Sequence, residues 1–227
     1  MLRLLVILGG ILLVVATVVL GVWLARQPGR FALARIDLDG LVQTKQSTAM
    51  EKIRIQGGSN LLRIDPRVVK ERLQDLPWVR SVQVRRVFPD ALSVQISEKI
   101  PVCMGIVDER LVILDEYGQP IKPFEVGDPY RLPVVRPKNK QEAAREIVWM
   151  INLLDRFSSI KEIISEAVGF AGKRWVLYTN KGVKLLISEN AEQELELLLK
   201  LQKKYKILDR KIRQVELRIP GKVAVRQ

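Results

Sequence analysis

The residue types that most often do chemistry are scarce in this chain. Among 227 residues there is no histidine and one cysteine, Cys103. A Ser-His-Asp or Cys-His relay needs an imidazole to move the proton, and the usual zinc cages need imidazoles or several thiolates. Neither can be built. Cys103 has no second cysteine to pair with inside the chain. It sits in the apolar run Pro101-Val-Cys-Met-Gly-Ile-Val107, where a thiol reads as a small buried hydrophobe. The acid pairs Asp108-Glu109 and Asp115-Glu116 fall in expected turns, and neighbouring carboxylates do acid/base work only across a cleft that holds substrate. Gly57-Gly58 lacks the spacing and the lysine of a phosphate loop and reads as a turn. No motif points to a Ser-Lys hydrolase. The expectation is a protein with no catalytic, cofactor or metal residues, one that works by binding.

Charge narrows what it binds. Lys and Arg number 38 against 25 Asp and Glu, a net +13. That balance favours anionic partners such as phospholipid headgroups, acidic wall polymer or nucleic acid. Residues 26–100 hold 14 basic and 8 acidic side chains, and residues 101–227 hold 23 and 17, so each part carries +6. A nucleic-acid module more often concentrates its charge on one segment and adds aromatic stacking platforms. Nucleic acid is therefore not expected as a partner.

The elements that position any binding surface begin with an apolar segment. Residues 4–25 carry no charge, and Thr17 is the polar side chain of note. At ~1.5 Å per residue the segment would span about 33 Å as a helix, against a hydrocarbon core of roughly 30 Å. Trp23 lies near one end, where interfacial aromatics belong. A cleaved signal peptide has a shorter apolar region and a small-residue cleavage site, and Trp23-Leu24-Ala25 is a poor one. The expectation is an uncleaved transmembrane helix at 4–25, a short tail at 1–3, which the resemblance described below makes cytoplasmic, and a juxtamembrane linker at 26–33. Arg26, Arg30 and Arg35 follow the span and only Arg3 and the amine precede it. By the positive-inside tendency alone the rest of the chain would be cytoplasmic, although large folded domains translocate with little regard to charge.

Beyond the linker the pattern is β-α-α-β-β, an α+β arrangement. Residues 34–39 alternate apolar and polar, and Gly40 breaks the strand. A short helix is expected from near Ser47-Thr48 to before Gln56. Asp65-Pro66 opens a second, with Asp as N-cap and Pro in the first turn; Val68, Val69, Leu73 and Leu76 form its apolar face, and Pro77 stops it. Val82 and Val84 then face one way, Gln83 and Arg85 the other. Pro89-Asp90 turns the chain, and Leu92, Val94 and Ile96 alternate with Ser93, Gln95 and Ser97, the pattern of a half-buried strand. Trp78 reads as core or domain-closing, Arg80, Arg85 and Arg86 as a solvated face, and Met104 and Met150 as core filler.

The runs Asn60-Leu-Leu-Arg-Ile-Asp65, Leu-Pro-Trp-Val at 76–79, Arg-Arg-Val-Phe-Pro-Asp at 85–90 and Glu-Lys-Ile-Pro-Val at 98–102 resemble the POTRA domain of the bacterial FtsQ/DivIB cell division family. The second half continues the resemblance. A strand at 111–114 leads into a turn at Asp115-Glu-Tyr-Gly118. Residues 139–157 form an expected amphipathic helix with Ala143, Ala144, Ile147, Val148, Ile151 and Leu154 on one side. Residues 175–178 and 183–187 form a hairpin with turn chemistry from Asn180 and Gly182. Asn190 is expected to cap a helix to Tyr205, with Glu192, Glu194 and Glu196 at its start and Lys200, Lys203 and Lys204 at its end, in line with the helix dipole. The tail at 215–226 is similar to the family's last paired strands.

The resemblance implies an α+β fold: one N-terminal transmembrane helix, a β-α-α-β-β POTRA domain at 34–102 and a mixed β-sheet domain with helices at 103–227. It implies a non-enzymatic divisome scaffold in the cytoplasmic membrane at the division septum. The protein would be single-pass type II with its C-terminal domains extracytoplasmic, linking early and late division components and septal wall synthesis. The implied partners are an FtsB/FtsL-like coiled-coil pair, other division proteins, and membrane lipid through the anchor. A final strand can be fully paired in its own sheet or left at an edge as a template for a partner strand. The resemblance favours recruitment there, through Arg218, Ile219, Lys222, Val223, Ala224, Val225 and Arg226, and also through the second POTRA strand, through Ser81, Val84 and Arg86. Two departures stand out: the family usually has a longer cytoplasmic tail, and it often shows aromatics where Ile219 and Gln227 stand here. The competing readings are a POTRA transport or secretion adaptor, which would need a C-terminal β-barrel, and a membrane-tethered binder of anionic polymer.

Overall fold

The computed structural model describes residues 2–26, 31–139, 141–170 and 173–227, with side chains of the first helix described for 9–23. That helix, α1 (Leu2–Arg26), is exposed throughout 9–23, and its Thr17 hydroxyl donates to Leu13 O and Val14 O. Among the described residues no helix is long and apolar enough to cross a membrane. The expected anchor at 4–25 extends past the described side chains at both ends, and Met1 and residues 27–30 of the expected tail and linker lie outside the described residues. The chain divides into two units, Met1–Glu98 and Lys99–Gln227.

In the first unit, β1 (Arg35–Asp39) is followed by α2 (Gln46–Ile53), α3 (Pro66–Gln74), β2 (Val79–Val87) and β3 (Ala91–Glu98). The sheet order is β1-β3-β2. A tight turn makes β2 and β3 antiparallel, while the two-helix crossover brings β1 in parallel to β3, as parallel pairing requires. The expected alternation holds: Leu92, Val94 and Ile96 of the centre strand are buried against Ala49, Ile53 and Leu73 of the helices. Asp65 caps α3 by accepting from Arg67 N at 2.9 Å. Gly40, at φ 85°, passes so close to β3 that a Cβ there would lie 1.9 Å from Ile96 O. Just after it, the Glu98 carboxylate accepts from the N–H groups of Val42, Gln43 and Thr44 at 3.1, 2.7 and 2.8 Å. Trp78 is half-buried in the turn before β2 and is not in the core cluster.

The second unit holds β4 (Pro101–Val107), β5 (Arg110–Asp115), β6 (Pro120–Pro123), β7 (Val134–Arg136), α4 (Ala143–Arg156), α5 (Ser158–Lys161), β8 (Ile164–Phe170), β9 (Arg174–Thr179), β10 (Lys184–Ile187), α6 (Ala191–Tyr205), β11 (Gln214–Glu216) and β12 (Ala224–Arg226). Its nine strands form one sheet in the order β12-β11-β10-β9-β8-β7-β4-β5-β6. Residue 102, the expected domain end, lies inside β4, so the units part earlier, after Glu98. Ile147, Met150, Ile151 and Leu154 of α4 and Leu195 and Leu198 of α6 share one core with Leu177, Leu185, Ile187 and Val215 of the sheet.

Three local expectations change. The helix expected at 139–157 starts at Ala143, because Asn139 closes a turn instead: its side chain accepts from Gln141 N and its carbonyl from Glu142 N. Ala144 consequently lies outside the buried face, which takes Met150 and Leu153. Asn190 makes no side-chain cap to α6. Glu194, buried to 8% exposure, reaches back to Ser188 N and Ser188 Oγ instead.

Candidate partner-binding surfaces

β12 stands at one open edge of the nine-stranded sheet, antiparallel to β11, and all three of its residues are exposed. The hydrogen bonds of the neighbouring pair show which backbone groups point outward. Lys184 N donates to Arg213 O and Leu217 N donates to Leu186 O, in a parallel register of Lys184 with Gln214 and Leu186 with Glu216. Arg213 therefore turns its carbonyl, and residues 215 and 217 their amides, toward β10, while Gln214 and Glu216 face β12, where Arg213 N also donates to Arg226 O at 2.9 Å. The partners of Gln214 and Glu216 are Arg226 and Ala224. Backbone groups alternate along a strand, so Ala224 and Arg226 are spent on β11, and the N–H and C=O of Val225 face the open edge.

The turn into this edge is well tied. Gly221 supplies φ 68°, Lys222 N donates to Ile219 O at 3.1 Å, and Val223 packs on the core from its margin. Arg218 grips Glu216 with Nε and Nη2 at 2.6 and 2.5 Å, the bidentate fork that suits a carboxylate. The Arg218 guanidinium holds the Glu216 carboxyl below the usual carboxylate range against the opposing effect of burial. Ile219 and Val225 are 45% and 44% exposed, two apolar side chains on a surface otherwise lined by Lys222 and Arg226. Of the residues expected at the last strand, Ala224, Val225 and Arg226 form β12, whereas Arg218, Ile219, Lys222 and Val223 lie in the segment that leads into it. Sequence reasoning missed Gln214 and Glu216, whose register decides which amide is free; their only signal was the alternation in 214–217.

The residues expected on the second POTRA strand do not share one surface. Ser81 is exposed, with Gln83 and Arg85, on the face away from the helices, whereas Val84 is half-buried against the core. Arg86, two residues on, shares the Val84 face and donates from Nε and Nη2 to Ile64 O at 3.1 and 2.7 Å. Arg86 therefore fastens the loop before α3, a role that sequence could not assign. β2 itself is an edge strand. Cys103 is fully buried. Burial, offset in part by the charge of Lys161 and reinforced by Asp115, pushes its thiol up to about 12. Among the described residues no group of three or more potential metal ligands gathers.

Comparison with known proteins agrees with this architecture. Residues 31–99 match the model of the FtsQ-type POTRA domain, and residues 105–218 match that of the C-terminal region of cell division protein FtsQ/DivIB. The chain is 26% identical over 196 residues to the cell division protein FtsQ of Agrobacterium fabrum, covering 86% of this chain and 61% of that one. It is 26% identical over 185 residues to that of Rhizobium radiobacter, covering 81% and 87%. With that of Myxococcus fulvus it shares 34% over 128 residues, covering 56% and 44%. The chain thus spans about three-fifths of the Agrobacterium relative and less than half of the Myxococcus one. With both domains matched in order, the chain belongs to the FtsQ/DivIB family of bacterial cell division proteins.

Proposed function

We propose that this cell division protein is a bitopic, non-enzymatic scaffold of the divisome. It is anchored by the apolar segment at 4–25, carries both folded units outside the cytoplasmic membrane, and recruits partners by main-chain pairing at β12. The observation that carries this reading is the free edge of β12 with the Val225 amide directed outward. Strand addition takes its affinity from such unpaired backbone groups and its selectivity from alternate side chains. The implied partner is an FtsB/FtsL-like coiled-coil pair, whose flanking extended segment would supply the incoming strand. Lys222 and Arg226 discourage promiscuous edge pairing and favour an acidic partner segment.

The test is a photo-crosslinking residue placed at Val225 of the full chain in dividing cells. Adducts with the coiled-coil pair at septa support the reading. Adducts to that pair from α6 positions, with none from Val225, would move the interface to a side-chain surface. Orientation is tested by a reporter that folds only in an oxidising compartment, fused after Gln227. An inactive reporter on an intact fusion would place both units in the cytoplasm.

A further inference from the structure

We propose that the cleft between α2 and α3 holds the phosphate of an anionic phospholipid headgroup and seats the first unit on the membrane that anchors α1. The proposal rests on the anchor reading above. The cleft has a volume of ≈ 650 Å³, and its wall includes Arg54, Gln56, Ser59, Asn60, Arg63 and Arg72. The carboxylate on that wall, Asp65, is engaged as the N-cap of α3. Among the described residues Arg54, Arg63 and Arg72 form no ion pair, so the three cleft arginines keep their charge for a ligand. Arg72 donates from Nη1 to Ile53 O at 2.9 Å, which pins one edge of its guanidinium and leaves the other donors of the fork. Arg54 occupies the left-handed cap of α2 at φ 51°, a position where glycine is the usual choice, so a cation stands there at a backbone cost. Guanidinium forks match phosphate oxygens in both charge and geometry.

The chain path favours a lipid over a soluble phosphate. Where the polypeptide enters this unit, Phe31 O accepts from Leu61 N at 2.7 Å and Leu33 N donates to Ser59 O at 2.8 Å, and Ala32 bridges to Asn60. The entering segment therefore runs along the wall that carries Ser59 and Asn60. From Arg26 to Phe31 there are five peptide steps, at most about 17 Å of extended chain. An anchored α1 thus tethers the cleft within reach of the headgroups, where the effective concentration of phosphate far exceeds that in solution. Phe88, 56% exposed and edge-on to Phe31 at 5.7 Å, adds an apolar ring of the kind that buries at the boundary between headgroups and acyl chains.

The experiment uses the full chain in vesicles of phosphatidylcholine, with or without phosphatidylglycerol. A fluorophore is attached at Gln56→Cys and a quencher is carried on a lipid headgroup; buried Cys103 stays unlabelled. We expect quenching to rise with phosphatidylglycerol. The combined Arg54→Gly and Arg63→Gln variant should shift the docked-to-undocked ratio by about 30-fold toward undocked, the share of two arginines near an anionic surface. Glycine fits φ 51°, so this variant should keep the fold, which a thermal melt verifies. Equal quenching in both vesicles, or a lipid response that the variant leaves unchanged, would overturn the proposal. So would displacement of the protein from phosphatidylglycerol by millimolar inorganic phosphate, or by an acidic peptide, while neither releases the variant, since the cleft would then serve a soluble anion or a peptide. Flotation with phosphatidylcholine vesicles separates the two ideas: protein that fails to float has lost its anchor, and with it the basis of the proposal.

Discussion

Val225→Pro is the sharpest probe of β12, because the register turns the Val225 amide away from β11. Proline deletes that N–H and fixes φ, and proline is tolerated on edge strands whose N–H faces solvent. The side chain is 44% exposed, so the cost to folding should stay below about 1 kcal/mol. In a complex, residue 225 would exchange two main-chain bonds with an incoming strand. Each is worth about 1 kcal/mol net, and the pyrrolidine ring obstructs the approach needed for the second. Loss of both is about 2 kcal/mol, or roughly 30-fold in Kd. Ala224→Pro acts differently, since the Ala224 amide bonds to Glu216 in the sheet. It should destabilise the edge by about 1–3 kcal/mol and lose binding only through that disorder. Val225→Thr keeps the donor and the β-branch and should bind nearly as wild type. Calorimetry of the full chain with the coiled-coil pair, after thermal melts of each variant, reads these differences. A Val225→Pro protein with an unchanged melt and a Kd within about twofold of wild type would refute strand addition at this edge.

Three further outcomes follow from the same geometry. Burial raises the Glu98 carboxyl, but bonds from Gln43, Thr44 and Val42 outweigh it and hold it below the usual range. Its stabilisation is therefore present above roughly pH 4.3 and is lost as pH falls through the depressed folded value, and a pH series of melts should show Glu98→Gln removing part of that acid slope at a cost of about 1–3 kcal/mol. Gly40→Ala would drive its Cβ to 1.9 Å from Ile96 O; we expect a loss of about 3 kcal/mol or more, read as lost amide-exchange protection across 35–98 with the second unit still protected. Cys103, buried and raised to about 12, should resist maleimide at pH 8 in the folded protein and react once denatured, and rapid native labelling would contradict its placement.

The amphipathic patterns were legible because burial on one side leaves its period in the residues. Leu92, Val94 and Ile96 announced the centre strand, and Asp65-Pro66 announced α3 with its cap. Strands β7 and β8 left no such mark. β7 is three residues long and takes its place through parallel pairing with β4 and β8. β8 carries Ala167 and Gly169 where larger side chains would have signalled a strand. The start of α6 misled for a similar reason: Asn190 has the right type for a cap, yet Glu194 does the bonding, through Ser188.

By itself the sequence determined that no imidazole chemistry is available, that an apolar segment precedes two α+β units, and that a terminal strand follows Gly221. Those conclusions depend on composition and on neighbours close in the chain. Only tertiary structure decided that β12 is an edge, that Val225 and not Ala224 offers its amide, that Arg86 fastens Ile64, and that Arg54, Arg63 and Arg72 meet in one cleft. Each of these depends on register or on pairing between distant segments. A shift of one residue in register exchanges every inward and outward group of a strand, and local sequence does not carry that information.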